Sequence, residues 1–279
     1  MGYPTILVHC DTSRTTPSRL KVALDLAERF EGHVIGLHVR QRFEAPMFSD
    51  AIVAMDSLYK SYEQAVKADE AAALALFKSS TAGTRTSSAW RVIDGYTEEE
   101  LAAEARYADL VVVGQHDPES EPRATPADLV EKLALKSERP LLVVPHIGAA
   151  KSPGKTVMLC WNGGREAARA ATGALPILIR ASSVIVLIVD PKSAAKPQCG
   201  EPGADVAQWL SRHGAKVTVQ RDSAAESDVG NVILSRAADH DVDLIVMGVY
   251  GHSRMREMVL GGASRTLLHS MTVPLLIAH

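Results

Sequence analysis

The segment VDLIVMGVYG (residues 242–251) repeats a pattern that first occurs in ADLVVVGQHD (residues 108–117). In both segments an aspartate precedes a run of apolar residues, and the run ends at a glycine. The segments RPLLVVP (139–145) and VPLLIAH (273–279) keep the same offset of 134 residues. Similarity at a fixed spacing indicates that the chain contains a duplicated structural unit.

Two further pairs of similar segments lie upstream, at offsets of 150 or 151 residues: HVIGLHV (33–39) with SVIVLIV (183–189), and TILVHCD (5–11) with TVMLCWN (156–162). A longer, Ala-rich helix over residues 52–80 in the first half, matched by a shorter one near 204–213 in the second, accounts for the larger offset. Because an insertion in a surface helix leaves the sheet unchanged, the two halves are predicted to share one topology.

Each half reads as five strands that alternate with helices. In the second half the strands are predicted near residues 156–161, 184–190, 216–222, 243–249 and 273–278. Their continuous apolar runs are typical of parallel strands covered by helices on both faces. The predicted fold class is α/β, with two doubly wound parallel five-stranded sheets in tandem. The Gly- and Pro-bearing segment HIGAAKSPGK (146–155) predicts the boundary, and divides domain 1–148 from domain 154–279.

The composition narrows the classes of function. The 279 residues carry a formal net charge of −3 with acidic and basic residues interspersed, which disfavours nucleic acid and anionic membranes as partners. No apolar run reaches membrane-spanning length, and no basic segment precedes an apolar one at the start. Three cysteines without metal-ligand spacing are typical of reduced thiols, so we expect a cytoplasmic protein.

A glycine-rich segment follows the fourth predicted strand of the second half. GVYG (248–251) is followed by nine residues, HSRMREMVL, and then by GGAS (261–264) at a predicted helix start. Glycine lets backbone N–H groups approach a ligand closely, and a helix N-terminus offers unpaired N–H groups to an anion. Because ligands of open α/β sheets bind outside the carboxyl ends of the strands, the combination indicates a phosphate or nucleotide site. Any one of these glycines alone is equally typical of a turn or a helix cap.

The stretch GVYGHSRMREMVLGGASRTLL (248–268) resembles the signature of the universal stress protein (UspA) family, which is G-x-x-G, nine residues, then G-(S/T). Nearly the whole chain fits two copies of that family's domain. The resemblance implies a pocket for ATP, or for ADP or AMP, with or without Mg²⁺, at the ends of the first, second and fourth strands of the second half. The implied positions are Trp161 and Asn162 beside the adenosine, Val189 against adenine through its backbone, Met247 and Gly248 flanking ribose and adenine, and Gly251, Gly261, Gly262, Ala263 and Ser264 around the phosphates.

His252 is included among the candidate site residues because of its position alone. His252 directly follows Gly251 and could approach a phosphate, and a solvated histidine is an equal alternative. No other histidine shows paired ligand spacing, so no metal site is predicted.

Two residues depart from the family pattern. Gly262 stands where the signature carries Ser or Thr, so a hydroxyl that would bond phosphate is lost while a backbone N–H remains. The loss of one such hydrogen bond weakens binding by about 0.5–1.5 kcal/mol, or up to roughly tenfold. Asn162 replaces the usual Asp, which keeps a hydrogen-bonding oxygen and removes a charge beside an anionic ligand.

The first half lacks the glycine pattern. Gly114 is followed by Gln-His-Asp-Pro, and the later positions of the signature are occupied by Asp117, Ala127 and Asp128. Two carboxylates are therefore predicted to face any phosphate placed there. We expect no nucleotide in this half, although Asp11 persists at the end of its first strand. We expect the first half to have a structural role, in which it packs against the second domain.

The leading functional hypothesis is a stress-response protein that binds an adenine nucleotide in its C-terminal domain, with a regulatory rather than catalytic outcome. One alternative is an interaction module of the same fold without nucleotide, paired within the chain or as a homodimer. Another is a slow ATPase, for which Asp190 is the nearest candidate base. The sequence contains no P-loop and no nucleophile elbow, so no residues for fast hydrolysis are predicted.

Overall fold

The computed structural model describes residues 2–43, 55–119, 126–149, 152–190, 201–224, 228–251 and 261–279. The strands are β1 (Thr5–His9), β2 (His33–Gln41), β3 (Ser87–Gly95), β4 (Leu110–Gly114), β5 (Leu141–Val144), β6 (Thr156–Cys160), β7 (Ser183–Val189), β8 (Val217–Asp222), β9 (Leu244–Gly248) and β10 (Leu275–Ala278). The helices are α1 (Thr16–Phe30), α2 (Met55–Thr81), α3 (Thr97–Ala105), α4 (Leu129–Lys136), α5 (Arg165–Arg180), α6 (Ala204–Arg212), α7 (Val229–Asp239) and α8 (Gly262–Ser270). The five strands predicted for the second half are confirmed.

The sheet has the order β3-β2-β1-β4-β5-β10-β9-β6-β7-β8. Within each half all neighbouring strands are parallel, which confirms two doubly wound five-stranded sheets. The two sheets meet where β5 pairs antiparallel with β10, through Leu141, Leu142 and Val143 opposite Ile277, Leu276 and Leu275. This pairing, which the sequence analysis did not anticipate, makes one ten-stranded sheet.

The central strands are buried on both faces because helices cover each side of the sheet. All five residues of β4 are buried, and so are the first four of β9. Alternate residues of each strand belong to two hydrophobic clusters, one on each side, which run across both halves. The strands with continuous apolar runs are therefore buried on both faces of the sheet, as predicted.

The insertion predicted in the first half is the helix α2. It has 27 residues, whereas α6 at the equivalent place in the second half has nine. Residues 52–54, where the sequence predicts its beginning, lie outside the described residues. At the start of α7, the carboxylate of Asp228 accepts a hydrogen bond from the N–H of Gly230 at 3.0 Å, so Asp228 caps this helix.

Polar contacts reinforce the junction between the halves. The Tyr3 hydroxyl donates to the carbonyl of Gly173 at 2.7 Å. Buried Gln115, which follows β4, donates through Nε2 to the carbonyls of Leu268 and His269 at 2.8 and 2.9 Å. These carbonyls lie at the C-terminal end of α8, where the helix itself supplies no donors. Gln115 therefore caps a helix of the other half.

We predict that Gln115→Ala lowers the free energy of unfolding by about 1–3 kcal/mol, because it leaves buried carbonyls without a donor. Urea unfolding followed by circular dichroism measures the change. Gln208→Ala, at an exposed position of α6, serves as the matched control and should stay within about 0.5 kcal/mol of the wild type. Equal effects of the two substitutions would show that the cap contributes nothing.

Candidate functional site

The strand order of the second half reverses between β6 and β9, which lie side by side and continue to β7 on one side and β10 on the other. The carboxyl ends of β6 and β9 are Cys160 and Gly248. In doubly wound sheets the helices on either side of such a reversal diverge and leave a crevice. The sequence thus folds so that the segment after β6 faces the glycine-rich segment after β9.

A cavity of about 120 Å³ occupies this crevice. Six of the predicted site residues line it: Trp161, Asn162, Val189, Met247, Gly248 and Ala263. Apolar side chains that the sequence analysis did not select complete the lining: Leu187, Ala167, Val229 and Ile233, with Cys160 beside them. Burial raises the pKa of the Cys160 thiol to about 12, so this cysteine remains protonated at neutral pH.

The remaining predicted residues lie beside the cavity rather than in its wall. Gly261 is the N-cap of α8, and Ser264 is buried in the first turn of that helix. A Cβ atom on Gly261 would meet no atom of the described residues within 4 Å. His252, together with the rest of 252–260, lies outside the described residues.

The structure gives Gly248 a packing role that the sequence analysis did not predict. Its φ is not positive, and a Cβ atom there would lie 2.4 Å from the backbone nitrogen of Ala167, in the first turn of α5. Gly248 is therefore required by helix packing, in addition to any approach of a ligand. The residue with positive φ in this turn is Tyr250, at 58°.

Tyr250 connects the glycine-rich turn to the first half. Its side chain is buried, and its hydroxyl donates to the carbonyl of Glu131 in α4 at 3.4 Å. Its ring also packs edge-on against His279, with centroids 5.9 Å apart. Burial raises the pKa of Tyr250 to about 12. The conformation of the turn thus depends on contacts with a helix of the other half.

Two carboxylates lie near the predicted phosphate position. Glu166, in the first turn of α5, is 3% exposed, and its Oε1 accepts from Nε of Arg165 at 2.6 Å. Its other oxygen lies 4.0 Å from where a Cβ on Gly251 would be, and Asp228 Oδ1 lies 3.4 Å from the corresponding point on Gly262. The sequence analysis selected neither acid for the site. The signal was their position at helix starts, Glu166 in the first turn of α5 and Asp228 at the N-cap of α7.

These acids affect which ligand the site can hold. A phosphate at the start of α8 would gain helix N–H groups and meet negative charge at the same time. Carboxylate oxygens are the ligands that Mg²⁺ prefers, usually together with substrate phosphates. Within the described residues no group of three His, Cys, Asp or Glu side chains could hold a metal ion by itself.

Asp190, the candidate base for hydrolysis, has structural partners. Its Oδ1 accepts from the Ser223 hydroxyl at 2.8 Å and from the N–H of Ala224 at 3.1 Å. These bonds attach the end of β7 to the segment after β8. Asp190 does not line the cavity between β6 and β9.

In the first half, the equivalent crevice between β1 and β4 is filled by Arg19 of α1. This side chain is fully buried, and a Cβ on Gly114 would lie 3.2 Å from its Cδ. Its guanidinium forms an ion pair with Asp11 and donates to the Ser13 hydroxyl at 2.7 Å. Beside β4, the crevice that is open in the second half is thus closed by a buried ion pair.

The two carboxylates predicted to face a phosphate in the first half have other partners. Asp117 receives two hydrogen bonds from Arg14, at 2.6 and 3.0 Å, and these bonds lower the pKa of its carboxyl. Asp128 begins α4 and pairs with Lys132 at 3.0 Å. Each acid therefore has a neighbouring base as partner, and that both would face a phosphate stays a prediction. Arg19 occupies the space beside Gly114 at the end of β4.

Two doubly wound α/β sheets in one chain, with a cavity at the switch point of the second, define a tandem α/β protein. The model of the universal stress protein family matches residues 2–145 and again residues 154–279. The chain belongs to the universal stress protein family, as a tandem member with two copies of its domain.

Solved structures share this fold. A universal stress protein from Archaeoglobus fulgidus DSM 4304 is 16% identical, with a TM-score of 0.68 over 98% of this chain and 95% of that one. A putative universal stress protein from Pseudomonas aeruginosa UCBPP-PA14 is 15% identical, with a TM-score of 0.60 over 99% and 93%. At these identities the likeness shows the fold alone. A comparison with curated protein sequences finds no match.

Among the described residues, no helix is both long and apolar enough to cross a bilayer. The longest, α2, carries charged residues throughout its length.

We predict that Arg19→Ala lowers the free energy of unfolding by about 3–5 kcal/mol, because it leaves the buried Asp11 carboxylate without its cation. Thermal and urea unfolding measure the effect. Arg85→Ala is the matched control: Arg85 is 92% exposed and pairs with Glu28 at 3.7 Å, so its loss should cost about 0–1 kcal/mol. A small effect at Arg19 would mean that the ion pair does not hold the crevice closed.

His9, next to this ion pair, predicts a dependence of stability on pH. Burial lowers the pKa of His9 from its ordinary value of 6.5 to about 4, so between these two values the unfolded chain binds more protons than the folded one. Stability should therefore fall as the pH drops through this window, by about 2 kcal/mol at pH 5 relative to pH 7. In His9→Gln this part of the pH dependence should disappear. An unchanged slope in the variant would contradict the assignment.

Proposed function

We propose that the C-terminal domain binds an adenine nucleotide, which is ATP or its products ADP and AMP. Occupancy of this site would regulate the protein rather than serve fast catalysis. The observation that carries this proposal is the cavity at the β6–β9 switch point, with the start of α8 beside it. Six residues selected from the sequence line this cavity. The placement agrees with the general position of ligands in doubly wound sheets.

The size and lining of the cavity favour an arrangement in which it holds only the base of the nucleotide, with the phosphates outside. A volume of about 120 Å³ is below the roughly 300–1,000 Å³ of pockets for whole ligands. The base is the part that the apolar wall suits, with Val189 and Met247 against its faces and Asn162 as a polar partner. The phosphates would then lie outside, over the backbone of Gly261 and the first turn of α8.

Mg²⁺ bound to the phosphates fits this arrangement. The carboxylates of Glu166 and Asp228 flank the phosphate position, and a cation between them and the ligand would remove their repulsion. The metal would supply charge neutralisation. Arg165, which bonds Glu166 at 2.6 Å, would reduce the same repulsion from the protein side.

A second candidate function is a nucleotide-free interaction module. The observation that favours it is the pair of acids beside a helix start that lacks the hydroxyl at position 262. In that case the glycines would serve only the packing seen at Gly248. Slow ATP hydrolysis has less support, because Asp190 is bonded to Ser223 and Ala224.

We further propose the division into domains 1–148 and 154–279, with the N-terminal domain free of nucleotide. Arg19 in the β1–β4 crevice supports this expectation. A homodimer, a cytoplasmic location and the absence of nucleic acid or membrane as partners stay predictions.

Mass spectrometry of small molecules released from the purified, denatured protein tests the nucleotide site. We expect ATP, ADP or AMP from the wild type and none from Gly251→Val, whose added side chain would stand over the phosphate position. Ser264→Ala should weaken the binding of added ATP by up to roughly tenfold, because one hydrogen bond to the phosphates is lost. Ser79→Ala, at an exposed position of α2, is the matched control and should bind as the wild type does.

If nothing is released and millimolar ATP leaves the melting temperature unshifted, the nucleotide proposal fails and the interaction module takes its place. Titration of Mg²⁺ in a turnover assay separates binding from hydrolysis. Product formation that depends on the metal would favour the slow ATPase. A flat response would favour the regulatory site.

A further inference from the structure

A second cavity, of about 340 Å³, lies in the first half at the carboxyl ends of β1, β2 and β3, beneath α2. Its volume is within the range of pockets that hold small molecules. It lies beside the crevice that Arg19 fills, and on the side of β2 rather than of β4. Phe43, Tyr62 and Tyr96 supply aromatic surface, and His9 and His38 supply buried polar groups.

His9 presents a hydrogen-bond donor to this cavity. The ring is 2% exposed, and Arg19 donates to its Nδ1 at 3.2 Å. Because Nδ1 accepts this bond, the ring hydrogen is on Nε2. Within the described parts of the chain Nε2 has no protein partner, and the low pKa of the ring, about 4, keeps it neutral.

His38 presents the complementary acceptor. The ring is 5% exposed, stacks on Trp90 at 6.2 Å and 14°, and donates from Nδ1 to the carbonyl of Cys10 at 2.9 Å. In the neutral ring this leaves a lone pair on Nε2. No described residue bonds to that nitrogen. Both histidines are thus fixed from the protein side, with their second nitrogens available to a ligand.

The charges around the cavity balance one another. Asp11 is paired with Arg19, and Arg40 bonds Glu70 at 2.7 Å and Asp94 at 3.3 Å. The remaining charged residues of the lining, Arg42 and Asp69, have opposite signs. From the described residues an anion would gain no unpaired buried cation here, and it would face the lone pair of His38. The cavity therefore suits an uncharged ligand.

We propose that this cavity binds a small uncharged aromatic molecule that accepts a hydrogen bond from His9 and donates one to His38. A hydroxyl-bearing aromatic amide has this chemistry, because it carries donors and acceptors at both ends of a planar ring. Its ring would pack against Phe43, Tyr62 and Tyr96. The site is separate from the proposed nucleotide site and does not depend on it.

Saturation-transfer NMR with the full chain tests the proposal, with 4-hydroxybenzamide as the probe and 4-hydroxybenzoate as its anionic counterpart. We expect the amide to bind and the carboxylate to bind at least about tenfold more weakly, because its buried negative charge gains no cation from the cavity wall. Val66→Trp, which fills the cavity from α2, should abolish binding. Gln64→Trp, at an exposed position of the same helix, should leave it unchanged.

His38→Leu should weaken the amide about tenfold, through the loss of its acceptor. The proposal is overturned if the amide does not bind at millimolar concentration, if the carboxylate binds equally well, or if Val66→Trp retains binding. It is also overturned if AMP displaces the amide from Gly251→Val, because the cavity would then be a nucleotide site. Failure of the nucleotide proposal would leave these results unaffected.

Discussion

The pairing of the first strand with the fourth in each half, β1 with β4 and β6 with β9, is the constraint on which the rest of the structure depends. These parallel neighbours are buried on both faces, so the chain between them must return through helices on opposite sides of the sheet. The helices diverge at this point, and a crevice forms above the strand ends. What fills the crevice is then decided by a few side chains on α1 or α5.

The two halves use the same crevice in different ways. In the first, Arg19 reaches in from α1 and forms an ion pair with Asp11, so the space is closed by protein. In the second, the first turn of α5 packs its backbone against Gly248 and leaves a cavity lined by Val189 and Met247. The first half has its open cavity one strand further along, where the long helix α2 covers β2 and β3. One duplicated fold therefore carries two different concave surfaces.

The sequence predicts the fold well because the signals for it are local and repeated. The apolar runs give the strands, their alternation with helices gives the doubly wound sheet, and the 134-residue offset gives the duplication. It also predicts six residues of the cavity wall, since these follow directly from strand ends. It does not predict Arg19 or Glu166, because burial of a charged side chain depends on partners distant in sequence, such as Gly114 or the turn at Gly251. The pairing of Asp117 with Arg14, more than a hundred residues apart, was hidden for the same reason.

The join between β5 and β10 carries a further consequence. These are equivalent strands of the two repeats, and they run antiparallel, so a local pseudo-twofold axis passes between them. Each half therefore ends in an edge that is complementary to its own copy. The linker joins these two edges in one chain and so gives their pairing a high effective concentration. Because the two copies are separate segments of one chain, a change in the binding residues of one copy leaves the other unchanged.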